Sequence, residues 1–378
     1  MAIVWLTRHF ANGASGSGIP QVIAALRTDL PVEGKQHLVS LPLSFSKLLL
    51  CTLGMLSGFS IGREGPSVQI AAGVLRSFHR FIGHKVAIHE HDIILAGGAA
   101  GIAAAFNTPL AGIVFAFEEL SKRFEERSSG VLITAIVIAG LVAVSTMGNL
   151  NYFGRVEQAA VWSELFWPGI IVALATGSAG GLFSYLLIHS FRNMDWPINR
   201  WRHQHPLQFA GLCGLIVAVL GLLSGGAAFG SGYKASQQLL ANQHDISVFY
   251  FIVKFLSTWI SFWSGIPGGI FAPALSVGAG MGYDVALLTS STGSVSAIVA
   301  LGMAGFLAAI TQAPITSFII VMEMTDGHSM VLSLMATALV ASMLSRIISE
   351  PLYPALADLQ IDRVQTLLGP RAHLADRN

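Results

Sequence analysis

The chain has 378 residues, and its 21 Lys and Arg with 20 Asp and Glu leave it 11% charged, against roughly 25% in an average soluble domain. A 53% hydrophobic content and 40 glycines exclude a disordered chain and an ordinary soluble enzyme, and a net charge of +1 gives no bulk attraction to nucleic acid. Cys51 and Cys213, the two cysteines, both lie in apolar stretches, which excludes a disulfide framework and a cysteine-based zinc site.

Along the chain, Met1–Phe10 lacks the order of regions that marks a signal peptide. Asp, Glu, Lys and Arg are then absent from 48–62, 93–117, 128–154, 165–191, 203–233, 255–283, 285–322 and 327–345. A helix needs about 20 mostly apolar residues to cross the hydrocarbon core, so most of these windows can span a membrane and 285–322 can hold two segments. The pattern predicts nine to twelve helical segments, several of them short or broken. Charges gather at Arg76–Lys85, Lys122–Arg127, Arg192–Arg202 and after Asp358, the expected loops and ends. No sustained period-two alternation supports a β-barrel. The fold class is therefore all-α and polytopic, and the Lys/Arg bias leaves its orientation open.

One pattern occurs twice. Gly16-Ser17-Gly18 is answered by Gly230-Ser231-Gly232, and Gly62-Arg63-Glu64-Gly65-Pro66 by Gly269-Ile270-Phe271-Ala272-Pro273. Ala100-Gly101, Pro109 and Glu118 are answered by Ala304-Gly305, Pro314 and Glu323. Three matches in order predict duplicated halves, with residues 1–160 as the first repeat, 161–355 as the second and 356–378 as a short polar tail. Spacing alone leaves open whether the halves are inverted or parallel.

The repeated elements suit a transport site. Irregular backbone at membrane depth survives only where protein or a watery cavity satisfies it. Pro66 and Pro273 each close a Gly-rich loop at an expected first helical turn, where unpaired N–H groups and a positive dipole end suit an anion. No Lys- or Arg-lined membrane segment is expected, so backbone amides and hydroxyls must hold any such ion. Glu64, between two glycines after an uncharged stretch, is an ionisable group at membrane depth and so a functional candidate. Glu118 and Glu119 precede Lys122 and Arg123 and should lie near a membrane face.

Gly16-Ser17-Gly18-Ile19-Pro20, Gly62-Arg63-Glu64-Gly65-Pro66 and Gly269-Ile270-Phe271-Ala272-Pro273 resemble, in order and spacing, the three signature motifs of the CLC family of chloride channels and chloride/proton antiporters. Pro351-Leu352-Tyr353 falls where that family has a late pore tyrosine, and the resemblance covers essentially the whole chain. It implies an inverted-repeat helical membrane protein with broken helices, a homodimer with one pore per subunit, set in a bacterial inner or cell membrane. It implies chloride and protons as substrates, the lipid bilayer as partner, and no cofactor. Ser17 and Tyr353 resemble the residues that contact the central chloride, with Gly16 and Gly18 beside Ser17. Ile270 and Phe271 would supply backbone N–H groups, and Arg63 and Gly65 would line the external ion site. Glu64 matches the gating glutamate and Glu119 the internal proton-transfer glutamate, a pair that implies coupled exchange rather than a channel. Ser17 in place of proline implies chloride over nitrate, and Ser17 with an intact Glu64 motif argues against the fluoride-exporting branch. Family members carry helices before the first motif, so the chain is expected to lack about two of them.

Each candidate has a structural alternative. Ser17 reads also as a helix N-cap, Tyr353 as an interfacial anchor, Glu64 as the partner of Arg63, and Glu119 as part of a solvated helix end paired with Lys122 and Arg123. Glu118 and Glu323, at matching repeat positions, are expected to share a structural role. His84, His89 and His91 read as a polar loop, and Met303, Met322, Met324 and Met330 as helix packing. Trp259, Phe262 and Trp263 read as an interface belt or subunit contact. Asp92, Asp284 and Asp326, expected at segment ends without partners, give no basis for an intramembrane enzyme.

Overall fold

The computed structural model describes residues 1–27, 30–81, 88–122, 129–148, 152–156, 162–193, 195–243, 246–291 and 294–368. The helices before residue 150 are α1 (Ala2–Phe10), α2 (Ile19–Leu26), α3 (Val32–Leu38), α4 (Leu41–Leu56), α5 (Glu64–Phe78), α6 (Glu90–Phe106), α7 (Pro109–Phe115) and α8 (Ser129–Met147). After them come α9 (Trp162–Arg192), α10 (Pro197–Gln204), α11 (Pro206–Leu223), α12 (Tyr233–Leu240), α13 (Tyr250–Trp263), α14 (Phe271–Leu288), α15 (Val295–Thr311), α16 (Pro314–Thr325), α17 (Val331–Ile348) and α18 (Leu352–Leu368). Eighteen α-helices among the described residues exceed the nine to twelve expected, because short helices such as α3, α7 and α10 have no uncharged window of their own.

Among the described residues, six helical stretches are long and apolar enough to cross a membrane. Burial sorts them into layers: α14 buries 83% of its most apolar window, whereas α8 buries 22% and α11 28%. Side chains apolar on every face can be left facing outward only in lipid, so the molecule is a polytopic membrane protein with α14 and α15 at its centre.

The repeats share their breaks. Asn107 ends α6 and Gln312 ends α15, both left-handed (φ 58° and 56°), and Pro109 and Pro314 then restart the chain as α7 and α16. Gly62 and Gly269 form an antiparallel bridge, each N–H donating to the other's C=O at 2.7 Å, which sets the first turns of α5 and α14 side by side. The polar tail expected from residue 356 is instead helical as far as Leu368, and it buries Leu356, Ile361 and Val364.

Several smaller expectations change. Trp259 stacks on Trp263 at 5.3 Å, and the buried Trp263 indole donates to Ser190 O and Asn199 Oδ1, so this group packs helices together rather than forming a belt. Asp92 accepts from the His89 N–H and Asp326 pairs with Arg155, so neither acid is without a partner, and Asp284 lies within α14 rather than at its end. The four methionines are buried. His84 lies outside the described residues.

Candidate anion and proton site

The loop before α2 turns on Gly16 (φ 81°) and Gly18 (φ 113°), conformations that a side chain would strain. Its backbone is held from several sides. Gln21 Nε2 donates to Ser15 O at 2.5 Å and Oε1 accepts from Gly18 N–H at 3.0 Å, while Gly268 N–H donates to Gly16 O at 3.0 Å. The N-cap of α2 is Gly18, and the buried Ser17 Oγ has no hydrogen-bond partner, so Ser17 is not a cap.

Glycine is required where this loop meets α5. A Cβ at Gly65 would collide with Ser17 Oγ, and one at Gly18 would collide with Gly65 O. The first turns of α2, α5 and α14 therefore converge on one centre, and such first turns carry N–H groups without intrahelical acceptors. Ile270 is the N-cap of α14 and Phe271 its first residue.

Glu64 opens α5 with its carboxylate fully buried against Gly62. The N–H groups of Arg63, Glu64 and Ala272 face that carboxylate, but neither oxygen makes a hydrogen bond of ordinary geometry. Arg63 forms no ion pair with it; the guanidinium lies over the Tyr152 ring at 5.7 Å. An acid side chain thus occupies the positive end of a broken helix, where a free anion could replace it.

Tyr353, the second residue of α18, is fully buried, so it is not an interfacial anchor. Its ring stacks on Phe271 (5.8 Å, 14°), and its phenol faces Ser17 without closing a bond of ordinary geometry. Tyr353 is also within electrostatic reach of both Glu64 and Glu119.

Glu119 sits on a π-helical turn, Ala116–Ser121, that continues α7. It is 3% exposed and its Oε1 is unpaired, so it is no solvated helix end; Arg123 lies outside the described residues. π-Helical turns often occur at functional sites because they re-aim a side chain within a helix.

Two openings border residues of this site. A cavity of about 440 Å³ is lined by Arg63, Asn107, Tyr152, Ser231 and Tyr233, and a smaller one by Ser17, Gln21, Phe262, Leu356 and Arg363. Helix α9 carries Phe191, which lines the smaller opening, one residue before its end at Arg192, and its 28-residue apolar stretch is long enough to cross a membrane.

Two residues outside the motifs complete the frame. Lys47 Nζ donates to Ala14 O (2.7 Å) and Gly16 O (2.6 Å), and Lys254 Nζ to Ala228 O (3.0 Å) and Gly230 O (2.7 Å). Both lysines are fully buried, and both spend their N–H groups on backbone carbonyls. The signal was available: each precedes the first residue of its broken helix by the same interval, 47 to 64 and 254 to 271. Tyr152, in an uncharged window, carried no such signal.

Residues 1–346 match the voltage gated chloride channel family, and the chain belongs to that family of membrane ion transporters, not to an enzyme family. It is 31% identical over 368 residues to an H(+)/Cl(-) exchange transporter, ClcA, of Citrobacter koseri, covering 93% of this chain and 75% of that one. A Salmonella typhimurium protein of the same name is 31% identical over 99% of this chain and 78% of its own length. Among solved structures, a slow cyanobacterial Cl-/H+ antiporter superposes with a TM-score of 0.80 at 26% identity, covering 96% of this chain and 85% of that one. A CLC-type fluoride/proton antiporter shares the fold at a TM-score of 0.78 and 22% identity, over 94% and 85% of the two chains.

Proposed function

We propose that this protein exchanges chloride for protons across a bacterial membrane. Chloride sits between the Ser17 hydroxyl and the Tyr353 phenol, with Ile270 and Phe271 supplying N–H groups and Gly16 and Gly18 letting the ion approach the loop. A second position, lined by Arg63 and Gly65, is occupied by the ionised Glu64 carboxylate. Protonation neutralises Glu64, removes its hold on the α14 first turn and frees that position for chloride. The proton leaves to the other face through Glu119. The repeats comprise residues 1–160 and 161–355, with 356–378 following, and two copies assemble as a homodimer with one pathway each.

The observation that carries this reading is the pair of buried hydroxyls, Ser17 and Tyr353, that face each other unpaired. An unsatisfied buried polar group costs about 1–3 kcal/mol, so two at one centre are tolerated where a ligand completes them. A buried acid on either side, Glu64 and Glu119, favours exchange over passive conduction. Ser17 favours chloride, and the curated relatives carry proton/chloride exchange in their names.

Purified protein in liposomes should move protons when given a chloride gradient. Glu64→Gln should stop proton movement while chloride still flows. Proton pumping that persists in this variant, or flux driven by fluoride and not chloride, would overturn the reading.

A further inference from the structure

Beside the smaller opening lies a basin of about 190 Å³ that no step of the proposed exchange uses. Arg8 from α1, Arg202 and His203 from α10, and Arg363 from α18 line it, with Asn12 and Ser15 adding polar groups. Arg27, Arg76, Arg155 and Arg192 each hold a carboxylate. Among the described residues no Asp or Glu pairs with Arg8, Arg202 or Arg363. Burial, then the charges of Arg363 and Arg8, push Arg202 down to about 10, as expected where like charges are gathered without a counterion.

Arg202 is preset for a ligand. It is 9% exposed, lies over the Phe191 ring at 4.5 Å, and donates Nη1 to Trp263 O at 3.4 Å. A guanidinium has five N–H donors, so most of this one remains uncommitted. At ~30 Å³ per water the basin has room for about six, more than a bare halide fills. Guanidinium forks match the paired oxygens of an oxyanion, whereas a spherical halide cannot use that geometry.

We propose that this basin binds a phosphate-class oxyanion, either free inorganic phosphate or the phosphate of a lipid headgroup, through Arg8, Arg202 and Arg363. The basin shares Ser15, Phe191, Gly265 and Arg363 with the opening that leads to Ser17, so an occupied basin narrows that route. This consequence for transport rests on the exchange reading; the binding does not.

The test uses the purified full chain in an uncharged detergent, titrated calorimetrically with inorganic phosphate and with short-chain phosphatidic acid at fixed ionic strength. Arg8 and Arg363 are exposed, so Arg8→Gln and Arg363→Gln should keep the fold, checked by circular dichroism, and each should weaken binding at least tenfold. Binding of inorganic phosphate with that sensitivity assigns a free-anion site; binding of phosphatidic acid alone, with the same sensitivity, assigns a headgroup site. The proposal is overturned if neither ligand binds, if the variants bind as well as the parent, or if chloride displaces phosphate with equal affinity.

Discussion

Glu118 and Glu323 cap each other's repeat. The Glu323 carboxylate accepts from Leu110 N–H (3.2 Å) and Ala111 N–H (2.7 Å) at the start of α7, and Glu118 accepts from Ile315 N–H (3.1 Å) and Thr316 N–H (2.6 Å) at the start of α16. Each acid lies nine residues after the proline that opens its own helix, 109 to 118 and 314 to 323, so one duplicated spacing yields both contacts. A broken helix exposes its first N–H groups at a depth where water cannot reach them, and a carboxylate from the opposite repeat replaces the water.

These caps predict a symmetric loss. Glu118→Gln leaves one acceptor oxygen where two N–H groups wait, and Glu323→Gln does the same, so each should cost about 1–3 kcal/mol of stability. Unfolding in detergent should show similar losses for both. The ratio of protons to chloride moved should stay as in the parent, because neither carboxylate reaches the Ser17 centre. An altered ratio with unchanged stability would contradict this structural role.

How much of this was legible beforehand depends on what each residue contacts. Glu64 is marked in the sequence itself by its flanking glycines and its isolation from other charge, whereas Ser17, Glu119 and Tyr353 are singled out only by the resemblance of their motifs. The convergence of α2, α5 and α14 was implied by the repeated Gly-x-x-x-Pro frame and became definite at the Gly62–Gly269 bridge. The matching interval before each broken helix marks Lys47 and Lys254 as a pair, but their burial depends on distant acceptors, and those of Lys47 lie 33 and 31 residues away along the chain. The Trp263 indole likewise finds its partners at Ser190 and Asn199, which no local pattern announces.

The buried lysines give an asymmetric prediction. Lys47→Met and Lys254→Met each strand two carbonyls and should each cost about 2–4 kcal/mol, since an unsatisfied buried acceptor costs ~1–3 kcal/mol and relaxation recovers part of it. Chloride affinity should separate them. Lys47 holds the loop that carries Ser17, whereas Lys254 holds the loop before Ser231, at the larger cavity. Calorimetric titration with chloride should show the larger loss for Lys47→Met, and equal losses would deny that this loop presents the ion-binding hydroxyl.

Tyr353→Phe removes one oxygen and little else, because the ring can keep its stacking on Phe271. A hydrogen bond to a charged group contributes about 1.5–3 kcal/mol, so chloride should bind roughly ten- to a hundredfold more weakly. Thermal stability should hold or rise slightly, since the phenol is unpaired in its absence. Unchanged chloride affinity would remove Tyr353 from the site.

His203 sets the direction of pH dependence at the basic basin. Burial first, and then the charges of Arg202 on its own helix, Arg363 on α18 and Arg8 on α1, hold its imidazole below the ordinary histidine value of 6.5. The unfolded chain therefore takes up a proton at a pH where the folded chain does not. Stability from this group is intact above about pH 6.5 and declines as the pH falls below that value. A bound oxyanion opposes the arginine charges and favours protonated His203, so sulfate, which keeps two charges at both pH values, should stabilise the protein more at pH 5.5 than at pH 7.5. Thermal unfolding at both pH values, with and without sulfate, should show that difference in the parent and a smaller one in His203→Asn. Equal sulfate effects at the two pH values would place the imidazole outside the anion's reach.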